Sequence, residues 1–64
     1  MNSLPRIEDW HLEKVGDKYI IKGFVYGDKF HKDGAKFKDE VNVIDFTQGY
    51  VDTTYDIYAL GEMA

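Results

Sequence analysis

Apolar and polar residues alternate along most of this chain. A period of two predicts β-strands, because successive side chains of a strand point to opposite faces. In DWHLEKV, Trp10 and Leu12 alternate with His11 and Glu13, which predicts a strand from about Asp9. The overlapping LPRIEDW also fits a first helical turn, with Pro5 early, where a helix tolerates it. Gly16-Asp17 reads as a short turn. KYIIKGFVY follows as the clearest strand, rich in β-branched and aromatic residues. Gly23 within it suggests a bulge or a close backbone approach.

A loop of glycines, aspartates and lysines from Gly27 to Gly34 separates that strand from AKFKDEVNVIDF. Phe37, Val41 and Val43 share one parity there, with Asp39 intruding. A charge on an inward face is costly unless paired, so the intruder points to a bulge or a strand edge. TQGY turns around Gly49, and YVDTT and DIYAL read as a last hairpin or one bent strand. The pattern predicts an all-β fold: a small antiparallel β-roll or barrel of four to six short strands. Residues 1–64 make a single small domain, with 1–6 and 62–64 expected to fray.

Length and composition sharpen this picture. A chain of 64 residues has a small core, and without a staple such a core rarely supplies more than roughly 3–5 kcal/mol of net stability. The chain has no cysteine, which removes disulfides and thiolate zinc sites and leaves a homodimer as the staple still open. Ten residues are aromatic; disordered chains lack them, so a packed core is expected. No apolar run approaches the ~20 residues of a membrane span. MNSLPRIEDW has neither the basic nor the apolar region of a signal peptide. Both features point to a cytoplasmic protein with no membrane partner.

Charge is divided along the chain. All eight basic residues lie between Arg6 and Lys38, where they outnumber the acids by two. From Asp39 onward there are six acids and no lysine or arginine, and the whole chain nets −4. Such a split predicts pairing of opposite segments or a two-signed surface. Lys29, His31, Lys32 and Lys36, with Lys38 beyond, form a candidate anion-binding cluster for a small nucleotide, with Phe30 or Tyr26 stacking on a base. The plainer reading is a long hairpin whose lysines guard an edge. The acidic C-terminal segment is the candidate protein-binding surface, with Tyr50, Tyr55 and Tyr58 as anchors and Asp52 and Asp56 as steering charges. Its plainer reading pairs Asp52 and Asp56 with lysines across the sheet. A pI of 4.9 argues against direct nucleic-acid binding.

Catalytic patterns are missing. There is no GxxxxGK[ST] and no GxGxxG, and Ser3 is the one serine. A calcium loop counted from Asp28 would place Phe30, Lys32 and Asp33 where oxygen donors and glycine belong. His11 and His31 stand far apart and read as surface residues rather than metal ligands. The expectation is a non-enzymatic protein with no cofactor or metal.

The order Trp10, KGFVYGDKF, DGAKFKDEVNVI and YALGE resembles a group of mostly uncharacterised small phage and prophage proteins. Their pattern runs from a Trp strand through G-x-V-Y-G and F…D-G to Y-x-L-G. The likeness covers roughly residues 7–62, and Gly23, Tyr26, Gly27, Asp33, Gly34, Tyr58, Leu60 and Gly61 fit it. Asp39-Glu40 stands where the pattern has Thr-Ser, which puts in doubt any ligand contact or turn that pair provides. The resemblance implies a phage-encoded inhibitor that blocks a host protein, of the anti-CRISPR or another anti-defence kind, by direct contact. A sponge for a small nucleotide signal and a structural subunit of a larger phage assembly are the alternatives.

Overall fold

The computed structural model describes residues 4–64. Five strands form: β1 (Arg6–Val15), β2 (Lys18–Tyr26), β3 (Ala35–Asp45), β4 (Tyr50–Thr53) and β5 (Ile57–Leu60). Each strand pairs with the next in antiparallel fashion, and β5 returns to β1 in parallel, closing a barrel. No helix forms among the described residues, so the N-terminal helical turn is replaced by strand from Arg6. None is long and apolar enough to cross a membrane.

The hydrophobic pattern explains β1 once a bulge is included. Ile7 and Trp10 are both buried, yet they stand three apart and strict alternation would split them between faces. The β1–β2 register shifts between Glu8 and His11, and Asp9 there has φ 49°. The inserted residue turns both Ile7 and Trp10 inward. Gly23 lies across from this stretch. A Cβ on it would sit 2.8 Å from the Glu8 carbonyl oxygen and 2.8 Å from Ile7 Cγ1. Gly23 is therefore the close approach, while the bulge belongs to its neighbour strand.

A second bulge corrects the reading of β3. The β3–β4 register shifts between Val41 and Val43, so Val43 turns out to 50 % exposure while Ile44 packs on the core. The core is Ile7, Trp10, Ile21, Val25, Phe37, Val51 and Tyr58. At the β1–β2 turn, Val15 pairs with Lys18 and Gly16 takes φ 62° at the first central position, where glycine is favoured in tight hairpins.

The chain's last residues are hydrogen-bonded back to β1, while residues 1–3 of the expected N-terminal fraying lie outside the described residues. Gly61 donates its N–H to Ile7, Trp10 to Glu62, and Ala64 to Trp10, at 2.8, 3.3 and 2.8 Å. The Trp10 indole Nε1–H donates to the Gly61 carbonyl at 2.9 Å. At the other end of the seam, the Ala59 N–H donates to the Pro5 carbonyl at 2.7 Å.

Gly23→Ala forces its new methyl against backbone, which a side-chain shift cannot relieve. The substitution is expected to cost about 1–3 kcal/mol, read as a lower urea midpoint at unchanged m-value.

Candidate functional site

The loop from Gly27 to Gly34 turns one of its acids inward. Asp28 is 8 % exposed, and its carboxylate has three partners. Oδ1 accepts the Phe30 N–H at 3.0 Å. Oδ2 accepts the Tyr58 hydroxyl at 2.5 Å and lies 2.7 Å from His31 Nδ1. Burial alone would raise the Asp28 pKa, but these donors outweigh it and hold the carboxyl below its ordinary range. With Asp28 ionised, His31 carries its proton on Nδ1 and donates it. Burial and the adjacent Asp28 charge push the Tyr58 hydroxyl pKa well up, so Tyr58 remains a donor. Asp33 completes the loop by accepting the Gly27 N–H at 2.8 Å.

A second carboxylate holds the facing turn. Asp39 pairs with inward-facing Ile21, and its Oδ2 accepts from the Thr54 hydroxyl, the Thr54 N–H at 2.8 Å and the Tyr55 N–H at 3.3 Å. Here too burial raises the pKa and the donors more than offset it, leaving a net downward shift. The intruding charge is therefore paired with the β4–β5 turn. Asp39 thereby locks a turn. Thr53 closes that turn from the inside: its hydroxyl donates to the Asp56 carbonyl at 2.8 Å.

These two mounts bring the loop and the turn together. The Phe30 and Tyr55 rings lie 6.1 Å apart, and His31 meets Tyr55 edge-on at 5.7 Å. Beneath them Phe37 contacts His31, Tyr55 and Tyr58 at 5.4, 5.9 and 4.9 Å. Phe30 is 62 % and Tyr55 56 % exposed. The result is a pair of displayed aromatic rings on a rigid aromatic base.

The two candidate sites read from the sequence thus adjoin, though not with their full memberships. Tyr55 is displayed, but Tyr58 is fully buried in the core and bound to Asp28, so it offers no surface as an anchor. Tyr50 and Asp52 are half-buried on β4. Asp56 accepts the Ile57 N–H at 2.7 Å, and neither Asp52 nor Asp56 joins the ion pairs among the described residues. Cross-sheet pairing with lysines is made by Glu13 and Glu40 instead.

Lys29 and Lys32 are exposed on the loop, whereas Lys36 stands on β3 and lines a cleft with Lys22 and Lys38 that does not include His31. The organising roles of Asp28 and Asp39 were not found in the sequence. The signal present was an inward-parity Asp39, together with an Asp three residues before a His. Comparison with protein-family models, curated proteins and solved structures gives no match.

Two acid-sensitive mounts set a pH dependence. Both Asp28 and Asp39 have folded pKa values below the unfolded value of about 3.9. Their stabilisation is complete above that value and is lost as pH falls through the lower folded values. Urea midpoints are expected to hold from pH 7 to about 5 and to drop below about 4. Tyr58→Phe, which strips a donor from a buried carboxylate, is expected to cost about 1.5–3 kcal/mol at pH 7.

Proposed function

We propose that this chain is a non-enzymatic binding protein that acts by direct contact with another protein, using the end of the barrel that displays Phe30 and Tyr55. One observation carries the reading: two exposed aromatic rings, 6.1 Å apart, are held by turns that buried or half-buried carboxylates have already ordered. Exposed aromatics fixed in place lose little freedom on binding, and such residues dominate the energetics of protein interfaces. Lys29 and Lys32 on one side and Asp56 on the other supply a two-signed rim.

The resemblance to small phage proteins supports a partner from the host cytoplasm, of the defence kind, and the role of an inhibitor. Asp52, half-buried on β4 and outside the ion pairs among the described residues, is the steering charge in this reading. The chemistry on this end favours binding over catalysis. His31 and Asp28 form a hydrogen-bonded pair, but the partners they hold are the loop backbone and the core Tyr58.

Affinity capture of the tagged chain from bacterial lysate, read by native mass spectrometry, tests the reading when run beside two variants. Phe30→Ala and Tyr55→Ala are each expected to weaken capture of a stoichiometric protein at least about tenfold, the effect of a residue worth more than 1 kcal/mol. Both should keep the wild-type circular dichroism spectrum. Capture that survives both substitutions overturns this assignment of the interface. Asp52→Lys is expected to slow association and reduce its salt dependence.

A further inference from the structure

The outer face of β1–β2–β3 carries a feature that the aromatic end does not use. The register sets His11 opposite Lys22 and Lys22 opposite Lys38, a row of three basic side chains across three strands. In the adjoining row, Phe24 stands opposite Lys36. Neighbouring strands lie about 4.8 Å apart, and like charges directly opposite one another destabilise a sheet. Lys22 is relieved by Glu13, its Nζ lying 2.9 Å from Oε2. Lys36 and Lys38 take part in none of the ion pairs among the described residues. Nothing in the fold compels this juxtaposition, since outward positions of β2 and β3 are free to alternate in sign, as Lys18 and Glu40 do nearby.

The same residues line a cleft. Asp9, His11, Lys22, Gly23, Phe24, Lys36, Phe37 and Lys38 enclose a concavity of about 400 Å³. Gly23 contributes backbone to the lining, next to the half-buried Phe24. Clefts of this size suit small molecules. A planar aromatic group with an anion attached would match both halves of the lining, the ring on Phe24 and the anion on Lys36 and Lys38. Asp9, exposed at the β1 bulge, is the one acid among the lining residues.

We infer that this cleft is a nucleotide-binding site, with Phe24 stacking the base and Lys36 and Lys38 holding the phosphate. It shares Lys36 and Lys38 with the lysine cluster read from the sequence, while Lys29, His31 and Lys32 are not among its lining residues. The chain's net charge of −4 does not oppose it. The surplus acids lie from Asp39 onward, outside the cleft. The ligand is a free nucleotide or a nucleotide of a single strand, since both present the same base and phosphate. The site is independent of the Phe30–Tyr55 end, so either assignment can fail without the other.

Amide chemical shifts of the ¹⁵N-labelled protein, titrated with adenosine monophosphate, a dA6 oligonucleotide and inorganic phosphate, decide the matter. Saturable shifts centred on Lys22, Phe24, Lys36 and Lys38 are expected. A response to the mononucleotide identifies a free nucleotide, and a response to dA6 alone identifies a strand. The double variant Lys36→Glu/Lys38→Glu is expected to weaken binding at least tenfold. Asp9→Asn, which keeps a residue type tolerant of positive φ, is expected to strengthen it several-fold. For the strand, log affinity is expected to fall with log salt at a slope of about −0.7 for the one engaged phosphate. No shift at millimolar ligand, shifts confined to the loop at Lys29 and Lys32, or an equal response to inorganic phosphate each overturns the inference.

Discussion

The barrel depends on the seam where β5 meets β1. Any open sheet leaves two edges whose backbone donors and acceptors must find water or another chain. Here the edges find each other, but β5 has only four residues and registers with β1 at only two positions. The chain lengthens this short seam with side chains and with its own last residues. The Trp10 indole reaches the Gly61 carbonyl, the Trp10 backbone bonds to Glu62 and Ala64, and the Glu8 carboxylate accepts the Glu62 N–H at 2.8 Å. Trp10 is thus both the largest core side chain and the pin of the closure. That double role is why the β1 bulge matters, since without it Ile7 and Trp10 could not both face inward.

Much of this architecture is legible in the residue pattern, and the failures are instructive. The strand KYIIKGFVY appears with the boundaries its composition suggests, and the turns at Gly16 and Gly49 fall where glycine marked them. Period-two reasoning fails wherever a bulge shifts parity. It assigned Val43 to the inner face, and the shift after Val41 turned it out. A bulge leaves little trace in a single chain, because the residues that tolerate the extra position, such as Asp, are also ordinary surface residues. Asp9 occupies it here with a positive φ.

The binding end was legible only in outline. Tyrosines and the lysine loop drew notice as separate surfaces, whereas their union depends on two carboxylates that composition presents as ordinary surface acids. Asp28 looked like a failed calcium ligand, and its neighbours are the donors Phe30, His31 and Tyr58. Tyr58 looked like an anchor for a partner, and the partner is Asp28 itself. Periodicity cannot tell an inward tyrosine bound to a buried acid from an outward one. Both satisfy the rule that a tyrosine hydroxyl needs a companion.

The closing seam also determines how the molecule comes into being. Each hairpin joins residues close in the chain and can begin to form alone. The seam joins Trp10 to Gly61 across 51 residues and Glu8 to Glu62 across 54. The loop entropy of that encounter comes before any bond it makes, so contact order places this small barrel among chains that fold in about milliseconds to seconds. Until β5 arrives, the outer edge of β1 remains an open template. In crowded solution, the interval before closure is when one copy is most exposed to pairing with another.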